Sequence, residues 1–215
     1  MKFSAHRNDL LKPLLMAGNI VERRQTLPIL ANILFKVKAG QLSVTATDLE
    51  VELTTNTSIT IDEETSFTLP ARKLIDICKA LPEDAEISLE VQEEKVILRS
   101  GRGRYSIGIL AAKDYPSIEA ATPSDSLVLP EAVFKRLIDK TSFAMAQQDV
   151  RYYLNGLLLE IQANRIRAVA TDGHRLALCE VELSTQTTVD LQIILPRKAV
   201  TELSRLLGDS DTEVK

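Results

Sequence analysis

The chain has 215 residues, of which 45% are hydrophobic and 4% aromatic. That is enough for one large domain or two small ones with a mainly aliphatic core. No apolar run approaches the roughly 20 residues that cross a bilayer, and the polar residues 1–10 do not resemble a signal peptide, so neither a membrane helix nor a secretory leader is expected. Cys78 and Cys179 lie far apart and give no disulfide framework, which favours a cytoplasmic location. The net charge of −4, taken as a total, argues against nucleic acid.

Four helices are predicted from apolar side chains that recur with helical spacing. The first has Pro13 near its start, where a missing N–H group is tolerated. Each of the other three follows a proline, which suits the first turn of a helix. The apolar stripes are Leu10, Leu11, Leu14 and Leu15; Leu74, Ile75, Cys78 and Leu81 after Pro70; Val133, Phe134, Leu137 and Ile138 after Pro130; and Val200, Leu203, Leu206 and Leu207 after Pro196.

Strands are predicted between the helices, where the apolar period drops to two. Residues 41–46 and 104–109 alternate between apolar and polar side chains, which is typical of half-buried strands in antiparallel sheets. Ala39-Gly40 is a candidate hairpin turn. The glycine-rich segment 100–104 lacks the helix start that a phosphate loop needs directly after it, so a second hairpin turn is predicted there. Helices and strands together predict an α+β fold of helices packed on antiparallel sheets.

The chain is one unit written twice, because three stretches recur in one order at offsets of about 124 to 126 residues. The matching stretches are 3–12 with 127–136, 45–48 with 169–172, and 69–73 with 195–198. Domains are therefore predicted at 1–120 and 127–215, joined by the small, polar linker 121–126. The second copy is incomplete, since only Thr212–Lys215 follow its second helix as a strand. An unpaired final sheet is costly, so a fragment of a longer chain is expected.

Charge is unevenly divided between the helices and the rest of the chain. The predicted helical segments carry +7 in sum, which leaves −11 for the remainder; these segments are 7–24, 72–79, 131–140 and 197–205. A basic helical surface could follow a phosphate backbone while the acidic surface would repel it. Simple solvation of helix faces is the alternative interpretation. No aromatic residues interleave with the basic ones, so contact to phosphate rather than base stacking is indicated.

Residues 171–175, Thr-Asp-Gly-His-Arg, place an acid, an imidazole and a guanidinium in one predicted turn. Asp172 and His174 could form a general base and its orienting partner. The local context supplies no nucleophile, however, and a metal would need more ligands than the other histidine, His6, can add. No metal and no cofactor are therefore predicted. In the alternative interpretation Asp172 caps the turn, Gly173 adopts an unusual φ, and the last two residues line a surface.

Residues 147–156, Gln-Gln-Asp-Val-Arg-Tyr-Tyr-Leu-Asn-Gly, form the most distinctive stretch. Adjacent residues of an extended segment face opposite ways, so Tyr152 and Tyr153 cannot both lie in the core, and one of them is expected at the surface. Tyrosine and arginine are favoured at binding sites. Tyrosines that pack at a domain junction are the alternative.

This stretch, with Ala170–Ala177, resembles the β subunits of bacterial DNA polymerase III, the sliding clamps. The resemblance runs the whole length and includes Met1–Phe3, Thr26–Leu30, Thr47–Glu50, Pro70–Lys73 and Asp76–Cys78. It implies the DNA-clamp fold, with three copies of the unit in a full-length chain. Two such chains would join head to tail in a homodimeric ring, with helices around the hole and sheets outside.

The resemblance also implies a function. A clamp is a non-catalytic accessory subunit that encircles double-stranded DNA and acts as a processivity factor in the cytoplasm, associated with the nucleoid. Its partners would be the polymerase III catalytic subunit, the clamp loader, other polymerases and repair proteins, which bind through a short peptide motif. No membrane partner is implied.

Three sites follow from the resemblance, each carried over by matching residues. The DNA-facing positions are Arg24, Arg72, Lys73, Gln148, Tyr152, Tyr153, Arg197 and Lys198. The partner-peptide groove is formed by Leu154, Thr171, Gly173, His174, Arg175 and Leu176, and is completed by residues beyond this chain. The ring interface uses an edge strand with Tyr105 and Ile107. Gln147 stands where the family has histidine, and a chain without the third copy is not expected to close a ring.

Two other functions are weighed against the clamp. A peptide-binding adaptor without a DNA role predicts that Arg24→Ala and Lys198→Ala leave DNA retention of the full-length protein unchanged. A hydrolase centred on Asp172 and His174 predicts turnover that Asp172→Ala abolishes.

Overall fold

The computed structural model describes residues 2–21, 27–59, 63–116, 118, 126–183 and 190–215. The chain divides into two compact units, Met1–Glu119 and Ala120–Lys215, which are called unit 1 and unit 2 below. The predicted linker 121–126 falls outside the described residues, apart from Ser126.

The described residues of unit 1 form eight strands and two helices. In chain order these are β1 (Lys2–His6), α1 (Arg7–Ile20), β2 (Asn32–Lys38), β3 (Gln41–Thr47), β4 (Glu52–Ser58), β5 (Thr65–Pro70), α2 (Ala71–Ala80), β6 (Glu86–Val91), β7 (Lys95–Ser100) and β8 (Gly103–Gly108). Those of unit 2 repeat this order with fewer strands: β9 (Leu129–Pro130), α3 (Glu131–Asp139), β10 (Gly156–Gln162), β11 (Arg165–Thr171), β12 (Leu176–Glu182), β13 (Leu191–Pro196), α4 (Arg197–Leu206) and β14 (Glu213–Val214).

Antiparallel pairing builds two four-stranded sheets in unit 1, with strand orders β1-β6-β7-β8 and β4-β3-β2-β5. Unit 2 repeats the second sheet as β12-β11-β10-β13 but has only the pair β14-β9 in place of the first. Both predicted hairpin turns are confirmed. Ala39 and Gly40, with φ of +49° and +73°, join β2 to β3, and Gly101, with φ of +53°, lies between β7 and β8. Segment 100–104 is thus a hairpin turn and not a phosphate loop.

Three of the four helices begin as the prolines predict. Pro70, Pro130 and Pro196 occupy the cap positions directly before α2, α3 and α4. Pro13 is different, because it is the seventh of the fourteen residues of α1, and its predicted place near the helix start is wrong. Helix α1 begins earlier, directly after β1, and Pro13 is buried against the core. That packing offsets the hydrogen bond that its missing N–H cannot make.

The core of unit 1 gathers side chains from both helices and both sheets. The rings of Phe35 and Phe67 stack face to face across β2 and β5, with centroids 5.1 Å apart. Helices α1 and α2 pack so closely that a β-carbon at Gly18 would lie 2.5 Å from Cδ1 of Ile75. This close crossing fixes α2, and with it the basic residues of its first turn, against α1.

Unit 2 has a core of the same plan that is less fully covered. Ile193 lies opposite Leu159 on β13 as Phe67 lies opposite Phe35 on β5. Phe67 is 1% exposed, whereas Ile193 is 37% exposed. The difference arises because only the short pair β14-β9 stands where unit 1 has a full sheet. The sheet β12-β11-β10-β13 is complete in four strands, and it carries the candidate site.

Candidate functional site

The loop 149–155 is closed by a ring of hydrogen bonds between its two ends. The Asn155 side-chain amide donates to the Asp149 carbonyl oxygen over 2.8 Å, and its Oδ1 accepts the Asp149 N–H over 2.9 Å. The Asp149 carboxylate in turn accepts the Arg151 backbone N–H at 2.8 Å, its Nε at 3.0 Å and its Nη2 at 2.9 Å. The hydrogen bonds from the Arg151 side chain and backbone lower the pKa of Asp149 to about 2. Asp149 and Arg151 thus form an ion pair with two parallel hydrogen bonds inside the loop.

Both tyrosines of this loop are exposed, Tyr152 by 82% and Tyr153 by 51%. The prediction that the two do not both lie in the core, and that one reaches the surface, is confirmed. Both are exposed because residues 152–154 form a 3-10 turn and not the extended segment that the prediction assumed. In that turn the third residue, Leu154, points inward and is buried. The two rings pack edge to face with centroids 5.8 Å apart. The turn thus presents two aromatic rings in mutual contact to solvent.

The turn 171–175 is capped by Asp172, as the non-catalytic interpretation predicts. Oδ1 of Asp172 accepts the backbone N–H groups of His174 at 2.9 Å and Arg175 at 3.0 Å, and its Oδ2 accepts Nε of Arg175 at 3.1 Å. The two backbone N–H groups lower the pKa of this carboxyl below its ordinary range. Within the described residues no hydrogen bond joins Asp172 to the imidazole of His174. Gly173 has a φ of +88°, which confirms the predicted unusual conformation.

The fold brings the loop 149–155 and the turn 171–175 into contact through Arg151 and Gly173. An ideal β-carbon at Gly173 would lie 3.2 Å from Nη2 of Arg151, so the guanidinium rests against the glycine backbone. Arg175, on the other side of the turn, holds its guanidinium 5.8 Å from the centre of the exposed Phe143 ring, within the range of a cation–π contact. Neither Arg151 nor Phe143 is among the site residues that the sequence predicted. Their contacts depend on tertiary packing that the sequence does not display.

An apolar strip crosses the face of the unit 2 sheet that points away from the core. Cross-strand pairing aligns four side chains, one from each strand, and these residues, called the outer strip below, are Leu178, Val169, Leu158 and Ile194. The neighbours of Leu158 along β10, Leu157 and Leu159, face the core. Leu178 and Ile194 are half exposed or nearly so. This row of apolar side chains, exposed at its two ends, makes the face a candidate contact surface.

The outer strip is bounded on one side by a charged row. Nη1 of Arg167 donates to Glu160 over 3.0 Å, and its Nε donates to Glu180 over 2.8 Å. The predicted groove residues Leu176 and Thr171 pair on the other side of the strip, next to the turn 171–175. Two predicted groove positions, Thr171 and Leu176, therefore border the strip. Of the six, Leu154 is buried, Thr171 is half-buried, and Gly173, His174, Arg175 and Leu176 are exposed. Sequence reasoning missed the strip because residues 156–162 form an almost continuous apolar run, which is typical of a strand buried on both faces.

The predicted DNA-facing residues fall into distinct environments. Arg72 and Lys73 are exposed in the first turn of α2, and Gln148 is exposed with a φ of +55°. Arg24 lies outside the described residues. Lys198 is half-buried on α4. Arg72 and Lys73, in the first turn of α2, are thus among the exposed cations of unit 1.

Arg197 is used inside unit 2. Its Nη1 donates to the backbone carbonyl oxygens of Met145 and Ala146, each over 3.1 Å. Both of those residues are buried, so the guanidinium satisfies acceptors that water reaches poorly. Arg197 therefore ties the start of α4 to the segment before the loop 149–155, whatever else it contacts.

The predicted ring-interface residues lie on β8, an edge strand of the first sheet of unit 1. Ile107 is fully buried in the core, and Tyr105 packs against the same core. Among the described residues β8 pairs with β7 alone, so what this edge offers to a neighbour is its main chain.

Among the described residues no group of three or more histidine, cysteine, aspartate or glutamate side chains could hold a metal ion. The same part of the chain has no helix that is long and apolar enough to span a membrane.

Comparison with known proteins gives one family over both units. The family model for the N-terminal domain of the DNA polymerase III beta subunit matches residues 1–119, and the model for its central domain matches residues 128–215. The chain is 49% identical to the beta sliding clamp of Pseudomonas aeruginosa over 215 residues, which is 100% of this chain and 59% of that protein. It is 45% identical to the beta sliding clamp of Escherichia coli K12 over 216 residues, again 100% of this chain and 59% of the relative. The chain spans about three fifths of the length of these relatives.

Solved structures agree with the sequence relatives. A crystal structure of the Pseudomonas aeruginosa DnaN sliding clamp bound to griselimycin superposes with a TM-score of 0.93 at 48% identity, covering 99% of this chain and 58% of that one. A DnaN sliding clamp from Bartonella birtlesii, also bound to griselimycin, gives a TM-score of 0.93 at 35% identity, with coverage of 99% and 58%. The predicted α+β clamp fold, with an incomplete second unit, is confirmed.

Proposed function

Because the chain belongs to the family of DNA polymerase III beta subunits, the bacterial sliding clamps, we propose that it supplies two domains of a ring that encircles double-stranded DNA. The predicted domains 1–120 and 127–215 are those two. The ring is a homodimer of full-length chains and acts as a processivity factor, tethering the polymerase III catalytic subunit, the clamp loader, other polymerases and repair proteins. The observation that carries this proposal is that matches to clamps cover the whole chain, through both units, at 45% identity or more.

Binding to DNA is supported by the division of charge. The four predicted helical segments carry +7 and the remainder −11, and Arg72 and Lys73 stand exposed at the start of α2. A clamp must slide, so its contacts to phosphate should be individually weak and independent of base sequence. Exposed lysine and arginine side chains without interleaved aromatic residues fit that requirement.

Partner docking is supported by the outer strip, together with the loop 149–155 and the turn 171–175, each of which is closed by its own hydrogen bonds. An apolar surface bordered by a few fixed polar groups suits a short linear peptide. Clamps from Pseudomonas aeruginosa and Bartonella birtlesii are crystallised with griselimycin. We extend that binding to the full-length protein containing this chain and assign it to the groove formed by Leu154, Thr171, Leu176 and the outer strip.

A non-catalytic role is supported by the contacts of Asp172. Its carboxylate caps the turn 171–175, and among the described residues no hydrogen bond joins it to the imidazole of His174. The base and the orienting partner that the hydrolase interpretation needs are therefore not paired. The ring interface is proposed to form by strand addition at the main-chain edge of β8, since free edges pair readily with another strand.

The groove is tested by calorimetric titration of griselimycin into full-length protein. Leu154→Ala and Leu176→Ala should each weaken binding by about tenfold, because each removes apolar surface that the bound ligand would cover. Glu180→Gln, in the adjoining charged row, is the matched control and should bind like the wild type. Unchanged affinity in both leucine variants would place the groove elsewhere.

A further inference from the structure

Helices α2 and α4 carry the same charges at the same places. Both have ten residues, and in each the only acidic residue is the sixth, which is Asp76 in α2 and Glu202 in α4. The second and ninth residues are cations in both helices: Arg72 and Lys79 in α2, Lys198 and Arg205 in α4. Residues three or four apart lie on one face of a helix. Each unit therefore repeats a carboxylate between two cations on one helix face.

In unit 1 these three side chains line a single groove between α1 and α2. The groove has a volume of about 360 Å³, and α1 contributes the uncharged Leu15 and Asn19 to its wall. Arg72, Asp76 and Lys79 are all exposed. None of the three forms an ion pair within the part of the chain that the structure describes. An anion that enters the groove therefore meets two cations and one carboxylate.

In unit 2 the carboxylate is bound to the second cation. Glu202 is buried and accepts a hydrogen bond from Nη1 of Arg205, with which it forms an ion pair. The Arg205 side chain itself is exposed. A phosphate that approaches this guanidinium would have to share it with Glu202, since a charge-assisted hydrogen bond already engages it.

Helix stability does not account for this arrangement. The helix dipole favours acidic side chains in the first turn and cations in the last, yet the first turns of α2 and α4 contain no acid. Helix α3, by contrast, has Glu131 in its first turn. A cation four residues before an acid, as Arg72 stands before Asp76, is also the weaker order for a helical ion pair. The repeated charges therefore point to a role outside the helix.

We propose that Asp76 and Glu202 compete with DNA phosphate for the cation three residues later in each helix, and so keep the hold of the helix on the backbone weak. The inference rests on the proposed function and deepens it. Lys79 and Arg205 become further phosphate contacts, and the two carboxylates become positioning residues that act through them. In water two unit charges about 6 Å apart interact by about the thermal energy, so each carboxylate should lower DNA affinity by roughly threefold.

The test measures binding of full-length protein to a labelled primed duplex by fluorescence anisotropy over a series of salt concentrations. Asp76→Asn and Glu202→Gln should each tighten binding by roughly threefold. Lys79→Ala and Arg205→Ala should each weaken binding and reduce the slope of log affinity against log salt by about one. Glu94→Gln changes the net charge equally at an exposed residue outside the groove and should bind like the wild type. Equal affinities of Asp76→Asn and Glu94→Gln would overturn the inference.

Combined variants show whether the carboxylates act through the cations. Asp76→Asn should change affinity much less in a Lys79→Ala background than in the wild type, and Glu202→Gln much less in an Arg205→Ala background. A carboxylate that acted through total charge or through helix folding would have the same effect in both backgrounds, and that result would overturn the assignment. Asp76 is exposed, so its variants keep the inference testable if Glu202→Gln, which alters a buried side chain, does not fold.

Retention on circular DNA separates this inference from the proposed function. If the wild type stays on a nicked circle and leaves a linear plasmid, while Asp76→Asn binds duplex DNA like Glu94→Gln, the proposed ring stands and the competition fails. If the carboxylate variants bind duplex DNA more tightly but the wild type is not retained on the circle, the proposed ring fails and the competition for phosphate stands.

Discussion

Arg151 lies against Gly173 so closely that a β-carbon on the glycine would be 3.2 Å from the arginine Nη2. The contact joins the loop 149–155 to the turn 171–175, and these two segments contain five of the six groove positions that the resemblance implies. Gly173 also has a φ of +88°, a conformation that side-chain-bearing residues rarely adopt. The position therefore disfavours a side chain for two independent reasons.

Gly173→Ala should destabilise unit 2 by about 1–2 kcal/mol through backbone strain and should displace the Arg151 guanidinium. Urea unfolding measures the first effect, and griselimycin titration measures the second, where an affinity loss is expected. Gly108→Ala is the control, because a β-carbon there meets no atom within 4 Å. Wild-type stability and affinity in Gly173→Ala would show that the turn adapts freely and that the contact is incidental.

The ion pair of Asp149 and Arg151 should make the free energy of unfolding depend on pH in the acid range. The folded pKa of Asp149 is about 2, below the unfolded value of about 3.9, so the folded state binds fewer protons than the unfolded state. Its contribution is complete above about pH 4 and is lost as the pH falls toward 2. The stability difference between wild type and Asp149→Asn should therefore shrink over that window in urea titrations.

Arg151→Ala provides the matched background for this measurement. In that background Asp149→Asn should change stability by a much smaller, less pH-dependent amount, since the main cause of the pKa shift is absent. A difference of the same size and pH dependence in both backgrounds would contradict the ion-pair explanation.

The outer strip is tested by giving unit 2 the residues of unit 1. Unit 1 has Thr45 and Thr68 at the positions in its sheet β4-β3-β2-β5 that match Val169 and Ile194. In the variant Val169→Thr, Ile194→Thr the sheet should therefore remain stable while its apolar surface is lost. Griselimycin affinity should fall roughly tenfold or more in the double variant. Arg165→Lys, in a neighbouring row of the same sheet, should leave the affinity as it is. An unaffected double variant would exclude the strip from the groove.

Arg72 and Lys73 are predicted to contact phosphate. Each alanine substitution should reduce the slope of log affinity against log salt for primed duplex DNA by about one, without a change in unfolding. Lys95→Ala, an exposed cation on β7, should leave the slope unaltered. Equal slopes for all of these proteins would argue that α2 does not face DNA.

Arg197 is expected to behave differently from Arg72, because it satisfies two buried carbonyls. Arg197→Ala should cost about 1–3 kcal/mol of folding free energy, measured by urea unfolding. Lys73→Ala, which alters an exposed side chain in the same turn of the matching helix, should cost much less. If the two variants were equally stable, the bonds to Met145 and Ala146 would not support unit 2.

Much of the fold follows from local patterns in the sequence. The prolines before α2, α3 and α4 and the turn at Ala39-Gly40 are signals that act within a few residues, and the repeat supplies the topology of each unit twice. Pro13 was misplaced because burial of its ring outweighs the hydrogen bond it cannot make. Rules that consider only neighbouring residues do not include the stabilisation that Pro13 gains from tertiary packing.

The site was less accessible to sequence reasoning. Leu154, Thr171 and Leu176 came from the resemblance and lie around one surface, but the outer strip looks like ordinary core in the sequence. The sequence predicted one tyrosine at the surface, and both are exposed, because the segment forms a 3-10 turn in which Leu154 takes the inward position. The closing contact between Asn155 and Asp149 depends on side-chain geometry that spacing alone does not reveal.

Topological retention on DNA tests the proposed clamp most directly. Full-length protein loaded onto a nicked circular plasmid should remain bound through gel filtration in moderate salt and should be released when the plasmid is cut once to a linear form. A ring slides off an open end, whereas a protein held by contacts does not. Equal retention on circular and linear DNA, or no retention on the circle, would contradict the proposal that this family member encircles DNA.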